Sequence, residues 1–155
     1  MKKRVMFISS VGGHLKQLLE LKKIYNDYDY VLVTEKTDVT KNMTDKYKME
    51  FLTYGSRFFP IRYLFVVIKN IFKSIYLFFK YRPEVIVTTG THTAVLMCYL
   101  GWLFHKRVIY IESFAKRTSK TLSGKLIYPI ASVFIVQWES MLKLYPKAKY
   151  YGGIY

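Results

Sequence analysis

Cysteine is almost missing from this chain, which has only Cys98 in its 155 residues. No intramolecular disulfide can form and no cysteine cluster can hold a metal, an economy of thiols that fits a cytoplasmic protein. Acidic residues are scarce too: 10 stand against 25 lysines and arginines, for a formal charge of +15. No long apolar run occurs. Crossing a bilayer takes about 18 uncharged apolar residues, and Lys69 and Lys73 interrupt the one stretch that approaches this length, so a spanning helix is not expected. There is no GxGxxG and no Walker sequence, which removes the two commonest phosphate-binding fingerprints. The opening Lys2-Lys3-Arg4 and Val5 to Ile8 has the outline of a signal peptide. The apolar run stops at Ser9 without a small-residue cleavage site, and it reads instead as a first strand.

What is there is a folded domain. Apolar residues make up 52% and aromatic residues 18%, far too many for a disordered polycation. The length suits one domain with one sizeable core. So large a positive charge implies an anionic partner: nucleic acid, a membrane surface or a phosphorylated substrate. Short β-branched and aromatic runs recur at Arg4 to Ser9, Tyr30 to Thr34, Met49 to Thr53, Val85 to Thr88, Val108 to Ile111 and Val133 to Val136. Between them, Leu15 to Ile24, Ala94 to Phe104 and Leu122 to Ile130 follow helical spacing. Alternation of strand and helix predicts a parallel sheet with right-handed crossovers, a Rossmann-like α/β fold spanning residues 1–155 as one domain. In such sheets ligands bind beyond the carboxyl ends of the strands, so the turns there are where functional residues are sought.

The first of these turns carries Gly12-Gly13-His14 at the start of a helical pattern. Glycines let the backbone turn tightly and approach a ligand, and a helix start offers unpaired N–H groups to a phosphate. The dipole disfavours added positive charge on His14, which suits a ring that accepts a proton from a sugar hydroxyl. A plain glycine turn with a capping histidine is the other reading. The turn after the fourth strand run, Thr89-Gly90-Thr91-His92, is a second small, hydroxyl-rich loop at the same edge, and two such turns can clamp a diphosphate. Against this, Thr91 or Thr93 would serve merely as a helix cap. After the fifth run, Glu112 and Ser113 stand at a strand end, where Glu112 either orients a base or sugar hydroxyl or simply pairs with Lys116.

Residues 57–82 hold six basic residues and no acidic one on a strongly apolar background. Read as a helix, Arg62, Lys69, Lys73 and Lys80 recur at spacings of seven, four and seven and form a basic stripe. An apolar helix with a narrow cationic face suits the headgroup boundary of an anionic membrane. Burial against the sheet is the competing use of the apolar residues, but it does not absorb all of them. Asp27-Tyr28-Asp29 matches a metal-binding Asp-x-Asp but precedes the second strand and reads as a turn. His14, His92 and His105 lack metal-ligand spacing, and no metal site is expected. The aromatics cluster in a helix rather than on strand faces and no nucleic-acid motif is present, which argues against nucleic acid.

Taken in order, Gly12-Gly13-His14, Thr89-Gly90-Thr91, Tyr110-Ile111-Glu112-Ser113-Phe114-Ala115 and Phe134-Ile135-Val136-Gln137-Trp138 resemble a known family over nearly the whole chain. It is the membrane-side, acceptor-binding subunit of the two-component dolichol-pathway N-acetylglucosaminyltransferase, together with its bacterial relatives in capsule and exopolysaccharide synthesis. The Gly-Gly-His turn and strand-end Glu are also similar to the amino-terminal half of a GT-B glycosyltransferase that acts on lipid-linked muramyl peptide. The resemblance implies a hexosyltransferase subunit, inactive without a separate donor-binding subunit. It would work peripherally on the cytoplasmic face of the membrane and bind a lipid-diphosphate sugar acceptor. His14 and Glu112 are its implied catalytic residues, and Gly12, Gly13, Thr89, Gly90, Thr91, His92 and Ser113 its acceptor site. No cofactor is implied, the nucleotide-sugar donor being bound mainly by the partner. The competing reading is a non-catalytic membrane scaffold that recruits such a partner, and the tyrosine-rich stretch after Trp138 is the expected contact surface.

Overall fold

A computed structural model describes residues 1–55 and 60–154. Seven strands form one parallel sheet: β1 (Arg4–Ile8), β2 (Asp29–Lys36), β3 (Met49–Thr53), β4 (Val85–Thr88), β5 (Arg107–Ile111), β6 (Val133–Val136) and β7 (Lys149–Tyr150). Their spatial order is β3-β2-β1-β4-β5-β6-β7, with every pair parallel. The Rossmann-like α/β expectation is met. Strand β7 is the one the residue pattern misses. It is two residues long, pairs Lys149 with Ile135 at the sheet edge and carries no apolar run to announce it.

The helices are α1 (Gly13–Leu19), which continues as a 3₁₀ segment over Glu20–Asp27, then α2 (Asp38–Lys41), α3 (Pro60–Tyr81), α4 (His92–Leu103) and α5 (Leu122–Ile127). A second 3₁₀ turn spans Glu139–Lys143. Two helical expectations are corrected. Leu15 to Ile24 is not one α-helix: the chain tightens after Leu19, so that Tyr25 is buried, donates its hydroxyl to the Leu18 carbonyl at 2.8 Å and packs on the Phe7 ring, while Ile24 is exposed. Helix α5 stops at Ile127 rather than Ile130, because Pro129 has no N–H to give and the ladder of backbone bonds breaks there, although Tyr128 still has helical dihedrals.

Strand alternation divides the core into two layers. Val5 and Phe7 face Leu15, Leu18 and Tyr25 of the α1 side. Met6 and Ile8 face the opposite layer, with Leu77, Phe78, Met97 and Ile127 from α3, α4 and α5. The chain therefore leaves β1 toward one face of the sheet and leaves its neighbour β4 toward the other. That divergence opens a crevice at the carboxyl ends of β1 and β4, the place where doubly wound sheets bind ligands.

Helix α3 packs only part of its circumference on this layer. Ser74, Leu77 and Phe78 are buried. Ile61, Leu64, Phe65, Ile68, Phe72, Tyr76 and Phe79 face outward, Phe65 and Phe72 each at 69% exposure. A basic strip of Arg62, Lys69, Lys73 and Lys80 runs between the two faces. Phe79 continues the apolar surface edge-to-face onto Phe104, next to the exposed Trp102 and Leu103 at the end of α4. Arg57, at the start of the predicted basic segment, lies outside the described residues. Among the described residues no helix is long and apolar enough to cross a membrane.

Candidate functional site

The two turns predicted to face each other meet across the β1/β4 crevice. Gly12, at φ 84°, precedes α1 in a conformation that side chains resist, and no side chain caps the helix. His14 follows in the first turn, half-buried, and its Nδ1 lies 2.7 Å from the Thr89 carbonyl oxygen. A carbonyl only accepts, so Nδ1 carries the proton in this contact and Nε2 is the basic nitrogen of the neutral ring. The Thr89 hydroxyl returns a bond to the His14 carbonyl at 2.7 Å, and the Ser10 N–H donates to the Gly90 carbonyl at 3.2 Å. The ring is thus held in place from the β4 turn. Gly90, at φ 93°, lies against it: a Cβ there would stand 3.6 Å from His14 Cε1 and 3.1 Å from Ser123 Oγ.

Thr91 occupies the position preceding α4 but makes no capping bond. Its hydroxyl pairs with Ser10 Oγ, which also reaches Thr93 Oγ1 at 2.9 Å. Thr93 in turn donates to Glu35 Oε1 at 2.9 Å, the Val11 N–H points at Glu35 Oε2 at 3.3 Å, and His92 Nε2 lies 3.9 Å from the same carboxylate. Glu35, 4% exposed at the end of β2, is the residue that sequence reasoning missed. Its signal in the sequence is a carboxylate at a strand's carboxyl end, as for Glu112, but the apolar run that announces β2 stops at Thr34, one residue short of it. Gly12, Gly13, His14, Thr89, Gly90, Thr91 and His92 are therefore gathered in one place, with Glu35 behind them.

Glu112 and Ser113 have a different setting. Glu112 is fully buried, and its carboxylate accepts from the Ser113 N–H at 2.8 Å, the Thr121 hydroxyl at 2.8 Å and the Tyr145 hydroxyl at 2.7 Å. Gly124 is the only residue type that fits against it, since a Cβ there would come within 2.3 Å of Glu112 Oε2. Burial, and then the bond to Glu112, hold the Tyr145 phenol protonated above the ordinary tyrosine range. The described contacts link Glu112 to α5 and the C-terminal segment, and its alternative partner Lys116 is absent from them. Ser113 is itself buried, with its N–H spent on Glu112. Gln137 ties this region to α1, donating to Gln17 Oε1 at 2.9 Å and to the Glu112 carbonyl at 2.8 Å.

Among the described residues no group of three or more His, Cys, Asp or Glu side chains could hold a metal ion. Cys98 is buried, which pushes its thiol above the ordinary range. The basic strip on α3 also divides. Lys80 is bound to Glu50 of β3 at 2.5 Å and lies over the Tyr81 ring, and the bond to Glu50 raises its affinity for the proton. Arg62 and Lys69 are exposed and Lys73 is half-buried.

A family model described as "Oligosaccharide biosynthesis protein Alg14 like" matches residues 5–154. The chain belongs to the Alg14-like family. Among curated relatives, a "UDP-N-acetylglucosamine transferase subunit ALG14" from Candida albicans is 42% identical over 79 residues, covering 47% of this chain and 36% of that protein. The protein of the same name from Yarrowia lipolytica is 38% identical, covering 47% and 37%. The human one is 26% identical, covering 97% and 82%. The chain thus spans well under half the length of the two fungal proteins. Solved structures with the same fold include Acinetobacter baumannii MurG, at TM-score 0.72 and 16% identity over 89% of this chain and 42% of that one. A UDP-N-acetylglucosamine 2-epimerase from Rickettsia bellii superposes at 0.71 and 14%, covering 99% and 46%. Anabaena HepE in complex with UDP-glucose gives 0.67 and 13%, covering 97% and 43%.

Proposed function

We propose that this Alg14-like chain is the acceptor-binding, membrane-associated subunit of a two-component glycosyltransferase. Its reaction is attack by a hydroxyl of a lipid-diphosphate-linked sugar on the anomeric carbon of a nucleotide sugar, which forms the glycosidic bond, breaks the anomeric carbon–phosphate oxygen bond and releases the nucleotide. A bacterial capsule or exopolysaccharide is the proposed setting; the curated relatives compared above are fungal and human, and their names concern UDP-N-acetylglucosamine transfer. The observation that carries the reading is the combination at one end of α3. Helix α3, whose outward apolar face no part of the described chain covers, meets the Thr89–His92 turn where the Tyr63 ring stands edge-on to His92. A membrane-borne acceptor needs both at once.

In this reading His14 is the base, its Nε2 accepting the proton of the attacking hydroxyl, while the Gly12–Gly13 and Thr89–His92 turns receive the diphosphate. Glu112 supports the site from beneath. The donor, with no other cofactor, is held mainly by the partner's domain. Residues 1–155 act as one acceptor-binding domain, 89% of this chain superposing on 42% of the MurG chain. The names of the relatives, each a transferase subunit, support the division of labour. The purified chain alone is expected to show no transfer from any nucleotide sugar to a lipid-diphosphate acceptor, and to gain activity when co-expressed with a donor-binding subunit. Turnover by the chain alone overturns the two-subunit reading. A complex that assembles on membranes but needs only a partner's residues for turnover would favour the scaffold.

Membrane attachment is expected to depend on Arg62, Lys69 and Lys73, each worth about 1 kcal/mol near an anionic surface, and not on Lys80, whose charge Glu50 already engages. Changing the three to Gln should release the protein from vesicles containing anionic phospholipid, and moderate salt should weaken the unaltered protein's binding. Co-flotation of the triple variant at the original level places the attachment elsewhere.

A further inference from the structure

A cavity of about 320 Å³ opens between the Tyr63-to-Ser74 stretch of α3 and the first half of α4. Its walls are Val66, Val67 and Ile71 from α3 and Val95, Leu96 and Tyr99 from α4. Three of its polar residues are engaged inside the protein. Glu35 is held by Thr93 and the Val11 N–H. Asn70 clamps β3 by accepting the Thr53 N–H and donating to the Thr53 carbonyl, both at 2.8 Å. The Tyr99 hydroxyl donates to the Leu126 carbonyl at 3.0 Å. What faces the space is therefore mostly hydrocarbon, an unsuitable lining for a sugar, whose hydroxyls would lose water without gaining partners.

We infer that this cavity takes the hydrocarbon chain of the lipid acceptor next to its diphosphate, an inference that rests on the proposed lipid-linked substrate. Three observations converge on that occupant. At ~30 Å³ for a group the size of water, the space holds about ten such groups, the carbon count of two isoprene units. Ile71 both lines the cavity and is part-exposed on the outward side of α3, so the space adjoins the apolar surface assigned to the membrane. At its other end stand Thr93 and His92, one residue past Thr91 of the diphosphate turn. Among the described residues the cavity offers no lysine or arginine to an anionic head and has the Glu35 carboxylate in its lining, so the diphosphate stays outside at the two turns and only the chain enters. A lipid lying with its head in the crevice and its tail along α3 thus meets complementary chemistry at each point.

The test is direct binding of farnesyl diphosphate to the intact chain by isothermal titration, with inorganic diphosphate and a lysophosphatidylglycerol as comparison probes. Farnesyl diphosphate is expected to bind at least about tenfold more tightly than inorganic diphosphate. Val95→Phe and Val67→Phe, which fill the cavity from opposite walls, should each remove that advantage while leaving inorganic diphosphate binding, the melting temperature and vesicle flotation unchanged. Equal binding of the two diphosphates by the unaltered protein overturns the inference, as does full farnesyl binding by both filled variants when they are folded. So does lysophosphatidylglycerol binding as tightly as farnesyl diphosphate and being equally sensitive to the two variants, because the cavity would then hold an ordinary membrane lipid. Transfer by the two-subunit complex is read separately: a complex that transfers normally while farnesyl diphosphate gains nothing from its chain rejects the cavity assignment and leaves the transferase reading standing.

Discussion

His14→Ala is expected to lower transfer by the assembled two-subunit enzyme by roughly 100-fold or more, the usual scale for losing a general base. The geometry gives the direction. Thr89 fixes the Nδ1 side of the ring from the neighbouring strand's turn, leaving Nε2 as the proton acceptor at the sheet's ligand-binding crevice. The ring is half-buried at the surface and outside the two core layers, so removing it should leave the melting temperature, partner binding and vesicle binding close to those of the parent. His14→Gln sharpens the test, since its amide can still donate to the Thr89 carbonyl but cannot take up a proton. Loss in both variants with kcat falling more than KM supports the base. Recovery in His14→Gln assigns the residue to holding the two turns together, and near-normal turnover in both removes it from the mechanism.

The outline of this site was readable because it depends on rules local to single strands. Gly-Gly-His and Thr-Gly-Thr-His each follow an apolar run, and a parallel sheet sends all such turns to one edge. That β1 and β4 would be neighbours, putting His14 against Thr89, is a property of strand order, which apolar runs do not encode. Glu35 was hidden for a related reason: nothing local distinguishes a strand-end carboxylate that reaches Thr93, 58 positions away, from one that points to solvent. Charge spacing on α3 was legible, but the partner that takes Lys80 out of the strip, Glu50, comes from a different element. The C-terminal tyrosines show the same limit. Read as a sticky contact surface, they divide in the fold: Tyr145 is core and bound to Glu112, whereas Tyr150 and Tyr151 are exposed. Cutting the chain after Leu144 would thus remove a core residue and strand β7 along with any partner surface, so surface substitutions at Tyr150 and Tyr151 are the cleaner probe of the interface.

Glu112→Ala should act on stability before it acts on chemistry. The carboxylate is fully buried, and removing it strands the Tyr145 hydroxyl, the Ser113 N–H and part of the bonding of Thr121, none of which water can easily reach. At about 1–3 kcal/mol for each buried group left unsatisfied, the loss is about 3 kcal/mol or more. A domain whose whole stability is about 5–15 kcal/mol feels this strongly, and the melting temperature should fall by roughly 10 °C. Glu112→Gln keeps an acceptor oxygen and the side-chain volume and should recover much of the loss. Tyr145→Phe removes one donor without leaving a hole, so combining it with Glu112→Ala should cost less than the sum of the two single changes. The sharp comparison is with His14→Ala: one variant unstable with activity falling in step with the folded fraction, the other stable and inactive. If Glu112→Ala melts like the parent yet turns over no substrate, the carboxylate acts in the reaction itself, and the buried network around it is not its main role.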